Sequence, residues 1–181
     1  MTRPASPHHH SWQSILALII MATCARFLPH MPANFSPVGA MGLYAGAVLP
    51  WPWALCVSLA GLFLSDLVLG LYGPIAMLFV YAGLATNVLF GFKLCRSNNP
   101  TKIAASALLG ATVFFLLSNF GVWLSGELYP RNLSGLVDCF VAAIPFFGNT
   151  LASQLLFSAI LFGLHHVMNI YALRRESMSH K

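Results

Sequence analysis

Residues Ile103–Leu124 read IAASALLGATVFFLLSNFGVWL, twenty-two positions without one charged side chain. A bilayer core about 30 Å thick is crossed by roughly 20 apolar helical residues, so this stretch has the length and character of a membrane span. Similar runs recur on both sides of it, separated by Pro, Gly and Asn. They are Trp12–Leu28, Ser36–Leu49, Trp53–Leu69, Pro74–Leu94 and Thr150–Leu173. The fold expected is therefore all-α: a polytopic membrane protein with six transmembrane helices. The run Ser36–Leu49 is too short to cross untilted unless its neighbours shield its ends. Leu136–Phe147 is apolar but only about a dozen residues long, which predicts a short interfacial or re-entrant helix before the last span. Pro145 is expected to end or bend it.

The composition agrees. Hydrophobic residues make up 58% of the chain and charged ones 7%, with a mean hydropathy of +0.77, whereas a soluble domain carries about 25% charged residues. The net charge of +5 comes without a Lys/Arg stripe or an aromatic recognition motif, which argues against nucleic acid as a partner. One domain over residues 12–173 is expected, between a disordered cytoplasmic tail (residues 1–11) and a second cytoplasmic tail (residues 174–181). His8, His9 and His10 in the first tail read as a solvated segment or a weak metal-binding tract. The four cysteines, Cys24, Cys56, Cys95 and Cys139, lack paired short spacing and read as small core residues, neither zinc ligands nor a disulfide framework.

Six spans put both termini on one side. Arg3, Lys93, Arg96, Lys102, Arg174, Arg175 and Lys181 then share the terminal side, and only Arg26 and Arg131 face the other. Cytoplasmic loops collect Lys and Arg, so the termini are expected in the cytoplasm of a bacterial cell, with the protein multi-pass in the inner membrane. The small-residue pattern of a signal-peptidase site is imperfect near Ala22–Ala25, so the first run reads as a retained span.

An ionisable group in mid-span costs about 2.5–3.5 kcal/mol on insertion scales, so each needs a partner or a function. On this topology Arg26, Asp66, Asn119, Trp123, Asn149 and Gln154 gather toward the outer leaflet. Arg26 and Asp66 match in depth and form a candidate structural ion pair; alternatively Asp66 contacts a cationic solute or carries a coupling proton. Asn119 and Trp123 are four apart and share a helix face, either as a ligand contact or as a helix bridge and an interfacial anchor. Three prolines make Arg26–Pro37 a stiff external loop, with His30, Asn34 and Phe35 either closing over a site or merely connecting spans. Asn149 and Thr150 read as helix caps whose free N–H groups could receive an anionic group, and Gln154 shares a face with Thr150. The candidate substrate-binding set is thus Asn34, Asp66, Asn119, Trp123, Asn149 and Gln154. Gly42-x-x-x-Gly46 predicts a tight helix contact without naming its partner. His165 and His166 fall near the cytoplasmic end of the last span.

Catalysis is not expected. Trp123 replaces the glycine that a Gly-x-Ser-Gly protease motif would need before Ser125-Gly126. His165-His166 lacks the spacing of a zinc-protease helix, and no phosphate-binding glycine loop occurs. No metal site and no cofactor are expected.

Several of these stretches together carry a resemblance: Arg26 to Pro37, Ser65-Asp66 with Gly70, Asn119-Phe120-Gly121-Val122-Trp123, Tyr129-Pro130, and Gly135-Leu136 through Cys139 to Pro145-Phe146-Phe147-x-Asn149-Thr150. The chain resembles a family of small, largely uncharacterised bacterial membrane proteins assigned to transport, itself similar to the substrate-binding S components of energy-coupling factor (ECF) transporters. That resemblance implies a six-helix bundle that captures a small solute, a vitamin-like molecule or a metal ion, in an outward-facing pocket. It also implies partners: a transmembrane coupling protein and ATPase subunits. Gln154 stands where an acidic residue is expected in that wider group. The competing expectation is a non-transporting structural or assembly subunit of a membrane complex, in which the same polar groups only join helices.

Overall fold

The computed structural model describes residues 12–27, 32–94 and 99–179. Six helices follow in order: α1 (Trp12–Ala25), α2 (Val38–Val48), α3 (Trp51–Leu69), α4 (Pro74–Lys93), α5 (Pro100–Ser125) and α6 (Leu133–Ser179). No strand occurs among the described residues. The helix starts follow from local chemistry. Pro52, Pro74 and Pro100 stand in first turns, where a missing N–H costs nothing. Asn99 caps α5 by accepting from the N–H groups of Thr101 and Lys102 at 2.9 and 3.3 Å. Gly126 ends α5 in the left-handed region (φ 69°).

Of the six expected spans, four have membrane-crossing length and character among the described residues: α3, α4, α5 and the Leu133–Val167 part of α6. At about 1.5 Å per residue, the 14 residues of α1 and the 11 of α2 are shorter than a bilayer core. The expected break before the last span is also absent. One 47-residue helix, α6, runs from Leu133 to Ser179 with Pro145 inside it. Continuing past Pro145 sacrifices the one backbone bond to Val141, whereas stopping would orphan up to four carbonyls and four N–H groups in apolar surroundings. Asn149 and Thr150 are therefore mid-helix residues, not caps, and the expected 174–181 tail is helical through Ser179. Residues 1–11, with their histidines, and His30 lie outside the described residues.

The shortest helix is the central one. α2 packs against all five others, while α1–α3–α4–α5–α6 follow one another around it; among the described residues α1 and α6 do not touch. Ala40, Met41, Gly42, Leu43, Ala45 and Gly46 are buried, which explains why α2 is apolar on every side. Its glycines set the approach to α4. A Cβ on Gly46 would strike the Val88 carbonyl, and one on Gly91 would strike the Leu43 carbonyl, so the two backbones meet directly. The partner of the Gly42-x-x-x-Gly46 pattern is thus α4. α5 runs antiparallel to α4 with Gly83 against Phe114 and Gly121 against Phe79.

Candidate functional site

The first turn of α2 lies deep in the bundle. Gly39 packs against Gln154 of α6, and Gly42 against Leu84, Asn87 and Val88 of α4. Asn87 is 13 residues into α4, about 20 Å from its start. Among the described residues the chain therefore leads inward from the exposed Pro32–Asn34 to the buried Pro37. Ala33 accepts from Asn149 Nδ2 at 3.0 Å, Phe35 meets Phe157 edge-on at 5.8 Å, and Pro37 is buried. Non-helical backbone at this depth is tolerated where protein buries it or a cavity solvates it.

Such a cavity is present. It measures about 170 Å³ and is walled by this segment (Asn34, Ser36), the start of α2 (Val38, Gly39), α4 (Val80, Leu84, Asn87), α5 (Ala111, Phe114), α6 (Thr150, Ser153, Gln154), Leu62 and Arg26. Water occupies about 30 Å³ per molecule, so the space suits a few waters or one small molecule. Two polar groupings face it.

The first is a buried amide pair. Gln154 Nε2 donates to Asn87 Oδ1 at 2.8 Å, and Asn87 Nδ2 donates to the Gly83 carbonyl at 3.2 Å. Both side chains are at least 97% buried. Room for them is made by glycine: a Cβ on Gly39 would strike Gln154 Oε1, and one on Gly110 would strike Asn87 Oδ1. Four helices thus converge on two amides.

The second grouping centres on Arg26. Its Nη1 donates to Ser65 Oγ at 2.9 Å and pairs with Asp66 Oδ1. The other carboxylate oxygen, Oδ2, accepts from the Tyr81 hydroxyl at 2.8 Å. Asp66 is 1% exposed and stands behind the wall, while Arg26, 25% exposed, forms part of it. Tyr72, in the link between α3 and α4, is drawn into the same field: burial, then the nearby Asp66, push its hydroxyl up to about 12 against a smaller opposing effect of Arg26.

The remaining sequence candidates are distributed differently. Asn34 lines the cavity with its backbone at φ 62°, a left-handed conformation that Asn tolerates better than most residues. Asn119 donates back to the Phe115 carbonyl of its own helix at 2.8 Å and does not line the cavity. Trp123 Nε1 bonds the Pro130 and Asn132 carbonyls at 3.1 and 3.2 Å, pinning the link between α5 and α6. Both lie outside the expected pocket because their face of α5 meets the start of α6, as the Cys139 thiol bonded to the Asn119 carbonyl shows. Asn149 holds the Ala33 segment and is likewise not in the wall. Cys24 and Cys56 are exposed rather than core residues, Cys139 is buried, and all three are free thiols.

Sequence reasoning missed Asn87, although it is an uncompensated amide in an apolar run and carries the same signal that drew attention to Asn119. It also passed over Ser158, whose Oγ is buried without a hydrogen-bond partner one turn beyond Gln154. Among the described residues no group of three or more His, Cys, Asp or Glu side chains could hold a metal ion. Tyr44 and His165 meet at 2.9 Å between α2 and α6, well along α6 from the cavity.

No curated protein and no solved structure matches the chain. A model described as a family of unknown function, DUF6580, matches residues 7–176, nearly the whole length, and the chain belongs to that family.

Proposed function

We propose that this protein is a membrane transport protein that binds one small solute in the cavity between α2, α4, α5 and α6, without catalysing a reaction. The observation that carries this reading is a polar-walled space at the buried start of a half-length helix, where close packing would otherwise be the cheaper arrangement. A discontinuous helix that begins inside a bundle is a recurrent way of presenting backbone N–H groups to a solute. The competing reading, a structural or assembly subunit, needs the polar groups only to join helices. It accounts for Asn119, Trp123 and Asn149 but gives no reason for a cavity beside Asn87 and Gln154.

In this reading the chain has six membrane segments, with α1 and α2 crossing or entering the bilayer beside longer neighbours. Both termini lie in the cytoplasm of the bacterial inner membrane, and the cavity opens outward. The resemblance to ECF S components adds a transmembrane coupling protein and ATPase subunits as partners, since the chain has no phosphate-binding loop of its own.

The test is a thermal-shift screen of the purified full-length protein against a panel of small metabolites, vitamins and metal ions. At least one compound is expected to stabilise it, and Gln154→Leu is expected to abolish that stabilisation. A panel that leaves the melting temperature unchanged throughout, together with a stable partner complex recovered in mild detergent, would favour the assembly subunit.

A further inference from the structure

Among the cavity-lining residues, Arg26 is the one with a charged side chain, and none is acidic. Asp66 balances that charge from behind the wall, with one carboxylate oxygen on Arg26 and the other on the Tyr81 hydroxyl, so the guanidinium is the member of the pair that reaches the cavity. Both hydrogen bonds that Arg26 makes among the described residues use Nη1. Its Nη2 and Nε make no hydrogen bond among the described residues, and a guanidinium offers a planar fork suited to a carboxylate.

A second positive feature meets it. The Val38–Gly39 start of α2 forms part of the same wall; the cap residue Pro37 supplies no capping side chain, Ser36 Oγ accepts from the Val38 N–H at a long 3.4 Å, and an α-helix carries about half a positive charge at its start. The other polar groups, Asn87, Gln154, Ser36, Ser153 and Thr150, are neutral and can pair with either sign of ligand. Phe114, Leu62, Val80 and Leu84 supply an apolar remainder. A divalent cation would find neither a carboxylate nor a histidine in the wall.

Resting on the transport reading above, we infer that the ligand class is a small organic carboxylate: its anionic group lies between Arg26 and the start of α2, its polar substituents meet the Asn87–Gln154 pair, and its apolar body lies on Phe114. Asp66 and Tyr81 position Arg26 and do not touch the ligand.

The test compares triads of similar size whose one substituent is anionic, neutral or cationic: benzoate, benzamide and benzylamine, with nicotinate, nicotinamide and 3-(aminomethyl)pyridine as a second set. Affinity is read by calorimetry or ligand-observed NMR on the full-length protein in detergent. The carboxylate of at least one set is expected to bind ten-fold or more tighter than its amine, with the amide between. Arg26→Met alone would strand Asp66, so the informative variant is Arg26→Met with Asp66→Asn, which removes both charges together. It is expected to keep the helical circular-dichroism signature while reducing the carboxylate preference to two-fold or less. Equal or tighter binding of an amine, or a carboxylate preference that survives in the double variant, overturns the inference while leaving a solute cavity in place. If no member of either triad binds and the metabolite screen is also silent, the transport reading fails with it.

Discussion

Asn87 and Gln154 illustrate how single residues set the character of the cavity. Each is an amide that would be costly to bury alone, and each is bonded across two helices. Gln154→Leu leaves Asn87 Oδ1 without its donor, and an orphaned buried acceptor costs about 1–3 kcal/mol. The expected outcome is a lower denaturation midpoint, with a smaller loss for Gln154→Glu at a pH where the introduced acid is protonated and can still donate; chemical denaturation in mixed micelles measures both. Tyr72 gives a pH signature. Its hydroxyl releases its proton at about 12 in the folded protein, against 10.0 in an ordinary tyrosine. Between those values the folded state holds a proton that the unfolded chain has lost, so this contribution to stability is intact below pH 10 and falls as pH rises through the window. Melting temperatures recorded from pH 9 to 12 are expected to decline less steeply for Tyr72→Phe than for the parent.

At the scale of the element, α2 shows why a helix need not be long to be decisive. Isolated, 11 residues would scarcely hold a helix in water, yet α2 is packed on all sides and contacts α4 backbone to backbone. Gly46→Ala would drive a methyl group into the Val88 carbonyl, which cannot rotate away as a side chain can. Overpacking of that kind costs about 1–3 kcal/mol. Gly163→Ala is the control: nothing lies within 4 Å of where a Cβ would stand, and alanine favours a helix over glycine by about 1 kcal/mol. Gly46→Ala is therefore expected to lower thermal stability and Gly163→Ala to leave it level or raise it, as measured by differential scanning fluorimetry. The same reasoning separates Trp123 from the cavity. Trp123→Phe removes its two bonds to the Pro130 and Asn132 carbonyls and is expected to loosen the α5–α6 link, seen as faster proteolysis there, without altering solute affinity.

At the scale of the whole molecule, the arrangement follows from placing α2 inside a partial ring that, among the described residues, is not closed between α1 and α6. The segment from Pro32 to Pro37 is tied to α6 through Asn149 and Phe157. Large apolar side chains such as Val68, Leu78, Leu109 and Leu164 point outward, as a lipid-facing surface requires. α5 is long and apolar enough to cross the bilayer, and in the proposed topology its two ends are accessible from opposite sides. In a cysteine-free background, Leu128→Cys is expected to react with an impermeant maleimide on intact cells, and Thr101→Cys only after permeabilisation. The reverse pattern would place the cavity mouth toward the cytoplasm and contradict outward-facing capture.

The apolar runs in the sequence were enough to establish the helical class and the long membrane-length elements, because hydrocarbon admits few backbone arrangements other than helices and leaves their length to be read directly. Arg26 and Asp66 could also be paired by depth alone, since a buried charge has few ways to be compensated. The sequence could not say that the weakest run, Ser36–Leu49, becomes the centre of the bundle, that Pro145 continues a helix, or that Asn119 and Trp123 turn away from the cavity while Asn87 turns into it. Those outcomes depend on how glycines on different helices let backbones approach, and on which helix faces then meet. Such contacts join residues far apart in the chain, and periodicity within one segment carries no record of them.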